Sequence, residues 1–422
     1  MKQALCLCLC LMLILTVPAY AADQFFPVVR EIRFEGNAIT QPKTMLREMV
    51  IHVGDPADPQ KVERSRQAIL DLGLFKEVSV RQEPLPDGVR LVYTVTEKYY
   101  FLPYPRLSAN LDRQYGYGAE LEWNNVAGLN HSLNLLVTES QPNRTGYGKQ
   151  FSYAGNYYAP FILDTPYNLS LSAGHSRQPQ TNTATQQPFV ETFDTWEIDG
   201  SRTYPNANGP ASQGWTVGGG WKSLHENRFG PGAPTPYGAA NAAVGFITYH
   251  DIRDLVYSEE GQQFGLRAET AVRGLASDYG YTLVNLSYDR FLPVGRLEFE
   301  NLQLSAATGA YFNGPAGFSQ FNLGGNGGLR AFPSYIYTGN SYYYLAALYQ
   351  RPLGRPWLRT LVGIESGNVS TNANSAVFDS MHLSLDLGLR VRLVWFVNLQ
   401  LEAGWAIPLN GSSRGRVFGG RP

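Results

Sequence analysis

The sequence SLDLGLRVRL, residues 384–393, decides the fold class of this chain. Leucine and valine occupy every second position, and serine, aspartate, glycine and arginine occupy the positions between them. Because successive side chains of a β-strand point to opposite faces, this stretch predicts a strand with one apolar and one charged face. Residues 397–405 repeat the alternation. Arginine facing lipid at the middle of a membrane strand costs about 2–4 kcal/mol, so the charged faces of such strands must line a closed, wet lumen.

A soluble β-sandwich or propeller shows the same alternation, but other features favour a membrane barrel. The chain has 7 Trp, 26 Tyr and 21 Phe, and many of these stand near the ends of predicted strands. Aromatic girdles at the two membrane interfaces produce that placement. The predicted strands share no repeat of about 40–50 residues, which a propeller requires. The mean hydropathy is only −0.23, because the apolar and charged faces average out.

Residues 1–21 predict a secretory signal peptide. Lys2 supplies the positive charge, residues 5–17 the apolar core, and Ala-Tyr-Ala at 19–21 the cleavage site. All three cysteines lie inside this segment, so we expect a mature chain without disulfides or thiolate chemistry. The formal net charge of −1 gives no indication of nucleic-acid binding.

Residues 22–99 predict a small N-terminal domain with the order β-α-α-β-β. Strand-like alternation occurs at residues 29–34, 78–80 and 89–95, and two helical patterns lie between the first and second of these. About 75 residues in two layers are enough for a modest independent core.

Residues 100–422 predict a transmembrane antiparallel β-barrel of about sixteen strands, an even number as in most single-chain bacterial barrels. Tight links at residues 293–295 and 351–354 fall at one end of this barrel, and the longer polar connections fall at the other. The asymmetry predicts a periplasmic end with short turns and an outer end with long loops. The last predicted strand, residues 415–419, is short. The predicted strands begin near residues 103, 116, 131, 149, 166, 192, 212, 240, 262, 280, 296, 341, 357, 381, 396 and 414.

The sequence FNLGGNGGLRAF, residues 321–332, lies in the longest predicted connection. Glycines permit sharp bends, and the apolar residues beside Arg330 predict a loop that folds into the lumen. Alternation along the following strands turns Glu365 and Asp386 inward. Because a guanidinium matches carboxylates with a fork of donors, we expect Arg330 to bind them. The candidate lumen-loop lock comprises Gly324, Gly325, Leu329, Arg330, Phe332, Glu365 and Asp386.

The N-terminal segment, residues 25–98, resembles a POTRA domain, the periplasmic module of outer-membrane assembly and secretion barrels. The resemblance rests on the turn at residues 36–37, the break at 54–55, LGLF at 72–75 and VTE at 95–97. An exposed edge strand of such a domain can pair with an extended polypeptide. The candidate client edge comprises Glu77, Val78, Ser79, Val80, Arg81 and Gln82.

The glycine-rich loop resembles the lumen-inserted loop of the BamA-like superfamily, in which glycines precede an apolar residue, Arg, Gly and an aromatic residue. Leu329, Arg330 and Phe332 match this pattern, and Ala331 replaces the usual Gly. Residues 363–367 resemble the acid-x-Gly motif on the strand that receives the arginine, with glutamate for the commoner aspartate.

Two further segments resemble parts of the same superfamily. Residues 124–128 are similar to its first hairpin, and residues 250–254 followed by Gly261 are similar to one of its periplasmic turns. For the charged residues of that turn, a second interpretation stays open: a solvated turn with local ion pairs.

The resemblance implies a protein that assists insertion or translocation of polypeptides at the outer membrane of a Gram-negative bacterium. Its expected partners are outer-membrane lipid and unfolded or extended client polypeptides, and accessory proteins of the periplasm or outer membrane are compatible with it. The first and last barrel strands, residues 104–113 and 415–419, are expected to open laterally to template a client strand. The alternative is a passive channel with a periplasmic tether.

No enzyme, cofactor, metal or nucleic acid is expected. Residues 411–415 fit G-x-S-x-G, but they lack the strand-to-helix context and the downstream acid and histidine of a hydrolase. The six histidines show no metal-ligand spacing.

Overall fold

The computed structural model describes most of the chain after the predicted signal peptide, which itself lies outside the described residues. Its first domain contains β1 (Val29–Glu35), α1 (Pro42–Leu46), α2 (Pro59–Asp71), β2 (Phe75–Leu85) and β3 (Gly88–Glu97), which confirms the predicted β-α-α-β-β order. The sheet order is β1-β3-β2, with β1 parallel and β2 antiparallel to β3. The described residues are 26–109, 115–141, 149–181, 185–233, 238–314, 320–325, 328–333, 336–371, 375–411 and 414–421.

The helices of this domain pack on one face of its sheet. Pro59 opens α2 at a position where a missing N–H is harmless, and the Asp58 carboxylate caps it by accepting from the Gln60 N–H at 2.9 Å. The fully buried side chains include Met45, Ile69, Phe75, Leu91 and Tyr93. They form one continuous apolar core.

The second domain is an antiparallel sheet of sixteen strands, which confirms the predicted number. A hairpin of β15 (Phe321–Leu323) and β16 (Tyr337–Gly339) lies apart from it, so β14 pairs with β17. The strands are β4 (Phe101–Ala109), β5 (Tyr115–Val126), β6 (His131–Gln141), β7 (Gln150–Ala159), β8 (Tyr167–Thr181), β9 (Pro188–Pro205), β10 (Gly214–Phe229), β11 (Gly238–Asp254), β12 (Glu259–Ala271), β13 (Tyr281–Pro293), β14 (Asn301–Phe312), β17 (Ser341–Arg355), β18 (Leu358–Ser370), β19 (His382–Arg392), β20 (Gln400–Pro408) and β21 (Arg416–Gly420).

Short 3₁₀ segments occur at Ile162–Asp164 and Ser375–Phe378. None of the described helices is long and apolar enough to cross a membrane.

The predicted alternation appears directly in the exposure of the side chains. On β19, Asp386 and Arg390 are buried, whereas Leu387 and Leu389 are 43% and 45% exposed. The leucines therefore face outward and the charged residues face the interior of the barrel. The apolar outer surface belongs to the lipid, and the polar inner surface belongs to the lumen.

Two predicted strand starts, near residues 296 and 396, are several residues too early. The carboxylate of Glu300 accepts the N–H groups of Arg296 and Leu297 and closes a turn there, so β14 begins only at Asn301. Val397, which we expected to face lipid, packs into the core of the N-terminal domain. Alternation alone cannot separate a lipid-facing position from one covered by another domain.

The N-terminal domain packs against the barrel end that carries the short turns. The Gln41 N–H donates to the Gly128 carbonyl at 2.9 Å, and the Ser212 N–H donates to Glu48 at 2.8 Å. Lys43 also binds Asp164. A cavity of about 800 Å³ lies between this domain and the polar inner wall.

Candidate functional site

The glycine-rich loop between β15 and β16 turns back tightly on itself. Gly324, Gly325 and Gly328 have φ values of 119°, 69° and 111°, in the region that favours glycine. A Cβ on Gly324 would lie 2.0 Å from the Pro333 carbonyl oxygen. The Gly325 N–H donates to the Phe332 carbonyl at 2.9 Å and closes the turn.

The apolar residues of this loop anchor it inside the barrel. Leu329 and Phe332 are 0% and 1% exposed. They belong to a buried cluster with side chains from four barrel strands. Those partners are Leu348 of β17, Leu361 of β18, Ala406 of β20 and Phe418 of β21. The loop therefore lies in the lumen against the wall built by the last strands.

Arg330 stands between these apolar residues and meets three carboxylates. Its Nη2 is 2.9 Å from Glu402 Oε1, and its Nη1 is 3.3 Å from Asp386 Oδ2 and 3.6 Å from Glu365 Oε1. Its backbone N–H donates to Glu365 Oε2 at 2.7 Å. The structure thus brings together all seven residues of the candidate lumen-loop lock.

Four further residues complete this site, and the sequence reasoning missed them. The Tyr344 hydroxyl donates to Glu365 at 2.8 Å, and the Ser384 hydroxyl donates to Asp386 at 2.7 Å. Arg390 binds the second oxygen of Glu402 at 2.9 Å. Glu402 had a usable signal, because it stands on the polar face of residues 397–405.

The site can position a loop, but its groups are satisfied by one another. Two guanidinium groups share three carboxylates, with hydroxyl donors on two of them. Within the described part of the chain, no group of three or more His, Cys, Asp or Glu residues is placed to hold a metal ion. We call this cluster of ion pairs and hydrogen bonds the clamp.

The candidate client edge lies at a border of the N-terminal sheet, because β2 pairs only with β3 among the described strands. Glu77, Ser79, Arg81 and Gln82 are exposed, Val80 is half-buried, and Val78 packs into the core. Arg81 reaches across β3 to Glu35 with two contacts of 3.0 Å. This guanidinium lowers the pKa of the Glu35 carboxyl.

The turn that follows β11 joins the two domains. The Asp254 carboxylate lies 3.3 Å from Arg392 and 3.7 Å from Lys98, and its N–H donates to Asp71 at 2.9 Å. Asp254 is only 7% exposed, so the interpretation as a solvated turn is wrong for it. The same interpretation holds for Arg253, an exposed residue paired with Glu260. We call Asp71, Lys98, Asp254 and Arg392 the domain–barrel junction.

The junction predicts a pH dependence. Burial, opposed in part by donors from Gln67 and Gln213, raises the pKa of Asp71 from 3.8 to about 6. A raised carboxyl pKa favours the protonated form in the packed state, so this stabilisation is complete below about pH 4 and is lost as the pH rises through 6. We expect the full chain in detergent to show a higher unfolding temperature for its N-terminal domain at pH 5 than at pH 7.

Asp71→Asn should remove most of this pH dependence, because asparagine does not titrate. An unchanged pH profile in Asp71→Asn would contradict the assignment to Asp71. Since one unit of pKa corresponds to about 1.4 kcal/mol, the effect is at most on the order of 3 kcal/mol.

Comparison with known proteins identifies the N-terminal domain and relates the whole fold to solved structures. Residues 27–98 match the POTRA family, described as surface antigen variable number repeat. The chain is similar to two outer membrane protein assembly factors BamA. It is 36% identical over 70 residues (17% of this chain, 9% of the relative) to that of Nitratidesulfovibrio vulgaris. It is 29% identical over 156 residues (35% and 19%) to that of Neorickettsia risticii.

The solved structure of CdiB from Escherichia coli shares the fold. It superposes with a TM-score of 0.64 at 13% identity, over 94% of this chain and 76% of that chain. The two BamA relatives are much longer: the chain spans less than a fifth of the length of each.

The fold and these matches define the class. The chain is a BamA-like protein that joins a POTRA domain to a sixteen-stranded outer-membrane barrel. It belongs in the outer membrane of a Gram-negative bacterium.

Proposed function

We propose that this protein helps insert or translocate extended polypeptides at the outer membrane. In this proposal, the client first adds to the β2 edge of the POTRA domain and then to a barrel edge between β4 and β21, which we call the seam. The lumen loop, held by Arg330, keeps the rest of the wall rigid while the seam opens. No step in the proposal requires a cofactor or a catalytic residue.

The observation that carries the proposal is the seam, where β4 and β21 do not pair with each other in the described part of the sheet. In the described part of the sheet each strand is paired with both neighbours, except that β4 and β21 have one partner each. Unpaired backbone groups are costly in lipid, and an open edge is a template for another strand. A barrel that retains such an edge is suited to accept a strand there.

The position of the lumen loop supports a role in this opening. Arg330 contacts carboxylates on β18, β19 and β20, and its guanidinium lies 5.1 Å from the ring of Phe418 on β21. One side chain therefore links four consecutive strands that end at the seam. We infer that this clamp moves the four strands as one unit, so that separation occurs at the seam.

The free side of β2 has the geometry for strand addition. The Val78 carbonyl points away from β3, because it accepts from the Arg66 guanidinium at 3.2 Å. Since backbone groups alternate in direction along a strand, Val78, Val80 and Gln82 present their N–H and C=O groups to the free side. Pro84 follows the same parity, which suits a residue without an N–H.

We expect Gln82→Pro to weaken client binding while the POTRA domain stays folded. The change removes one free-side donor, and Pro84 shows that proline is tolerated at this parity. Losing one hydrogen bond of about 1 kcal/mol corresponds to roughly a fivefold loss of affinity. The measurement is photo-crosslinking from residue 79 to an extended outer-membrane client, with Gln82→Ala as the matched control.

Equal crosslinking in Gln82→Pro and Gln82→Ala would contradict strand addition at this edge. The passive channel is the second candidate, favoured by the cavity of about 800 Å³ beneath the POTRA domain. Depletion of the protein with an unchanged outer-membrane proteome would favour the channel.

A further inference from the structure

Along β4, the backbone N–H and C=O groups of successive residues point alternately toward β5 and toward the seam. The Tyr100 carbonyl accepts from the Asn124 N–H of β5 at 2.7 Å. The preceding Tyr99 N–H donates in the opposite direction, to the Trp395 carbonyl at 2.7 Å. The backbone N–H and C=O groups of odd-numbered residues thus point away from β5. The ladder between β4 and β5 continues without a bulge from Phe101 to Ala109. All odd-numbered positions of β4 therefore face the seam.

Two of these seam-facing positions are prolines. Pro103 and Pro105 have no N–H, so they give the seam only carbonyl acceptors. The remaining seam-facing donors of β4 belong to Phe101, Leu107 and Ala109. The donors at 101 and 107 are six residues apart, or roughly 20 Å along a strand. The inner half of this edge, residues 101–105 at the periplasmic end of β4, therefore cannot form a complete ladder of hydrogen bonds with any strand.

The prolines also suit an edge that stays unpaired in lipid. Their rings line an apolar groove on the outer face, together with Leu121, Leu135 and Val137. An N–H without a partner is unfavourable in hydrocarbon, and proline removes the group altogether. An open edge with two prolines therefore has a lower free energy in lipid than the same edge with two residues that carry an N–H.

Side chains close the inner half of the seam in place of a ladder. Arg421, just after β21, binds Glu122 of β5 at 3.1 Å and donates to the Tyr104 hydroxyl. Its guanidinium also lies 5.2 Å from the Tyr104 ring. This contact joins the first and last strands across the gap in donors.

We propose that Pro103 and Pro105 determine where the seam can pair. They keep the inner half of β4 free of any strand, and they confine the addition of an extended client strand to β4 from Leu107 onward. The Arg421–Glu122 ion pair is then a side-chain contact that breaks when the seam opens. The proposal deepens the function proposed above and rests on strand addition at the seam.

The test restores the missing donors in the full-length protein. Pro103→Thr with Pro105→Thr supplies two N–H groups that can donate to carbonyls of β21, so β4 and β21 should pair. Amide exchange at residues 416–420 should then slow by roughly thirtyfold for two added hydrogen bonds. Insertion of an extended barrel-strand client into proteoliposomes should fall. Pro166→Thr, at an exposed turn outside the seam, is the control and should change neither measurement.

The two measurements separate the possible failures. Unchanged amide exchange in the double variant would overturn the assignment of the prolines, whatever happens to the client. Slower exchange with unchanged client insertion would instead show that the seam is not the client's route, and would count against the proposed function and the confinement of the client strand.

A second variant removes a donor from the seam instead of adding donors. It keeps the proposal testable if the double variant does not assemble. Leu107→Pro removes the next donor at the seam, so client insertion should fall while the barrel keeps its unfolding temperature. Full client insertion by Leu107→Pro would overturn the confinement of the client strand to β4 from Leu107 onward.

Discussion

Replacing Arg330 by alanine should release the lumen loop while the barrel stays folded. The change leaves Glu365, Asp386 and Glu402 without the guanidinium that joins them. Losing one member of a buried ion pair costs about 3–5 kcal/mol. The Arg330 side chain is 14% exposed, so solvent reduces this cost, and we expect a value near the lower limit.

The loop should then become sensitive to protease near residue 330, and the single-channel conductance should change. Arg330→Lys should restore only part of the protection, because lysine lacks the planar fork that reaches several carboxylates. Arg253→Ala removes an exposed arginine with one surface partner and is the matched control. Surface pairs of this kind contribute about 0–1 kcal/mol, so the control should behave like the unmodified protein.

The partner residue gives a second check on the same interaction. Arg330→Ala combined with Glu402→Gln should cost less than the sum of the two single changes, because both remove the 2.9 Å contact. Unchanged loop protection, conductance and client assembly in Arg330→Ala would identify the segment as an ordinary outer loop and reject the lock.

Replacing Asp254 by alanine should loosen the packing of the POTRA domain against the barrel at the domain–barrel junction. Lys98 is 5% exposed, and burial lowers the pKa of its ammonium, which Asp254 opposes at 3.7 Å. Arg392 would lose its 3.3 Å contact but keep Glu259 at 3.2 Å. Breaking a buried ion pair such as Lys98–Asp254 by removing one member costs about 3–5 kcal/mol.

We expect faster protease cleavage of the linker at residues 98–100, with an unchanged unfolding temperature of the barrel. Asp251→Ala is the matched control, because Asp251 lies three residues before Asp254 on β11 and accepts a long hydrogen bond of 3.3 Å from the Tyr249 hydroxyl. Equal cleavage of the two variants would show that Asp254 does not hold the domains together.

The sequence by itself determined the class of fold and the direction of its side chains. Alternation at successive positions is a local property, so sixteen strands and the inward positions of Glu365 and Asp386 could be predicted without knowing their neighbours. The glycine-rich stretch around Arg330 likewise marked a tightly folded loop. The start of β14 was predicted too early, because the Glu300 carboxylate accepts backbone N–H groups and forms a turn where the hydrophobic pattern indicates a strand.

The tertiary structure decided which of these residues meet. Glu402 joins Arg330 across 72 positions of sequence, and Asp254 joins Asp71 across 183, because strand register and domain packing bring them together. Val397 had the pattern of a lipid-facing residue, yet it completes the core of the other domain. The seam likewise depends on how the barrel closes. The sequence shows prolines at residues 103 and 105, but only the strand order and register show that both lie on the side of β4 that faces the seam. Local patterns specify faces, whereas partners across the lumen, the junction and the seam depend on the register of the whole sheet.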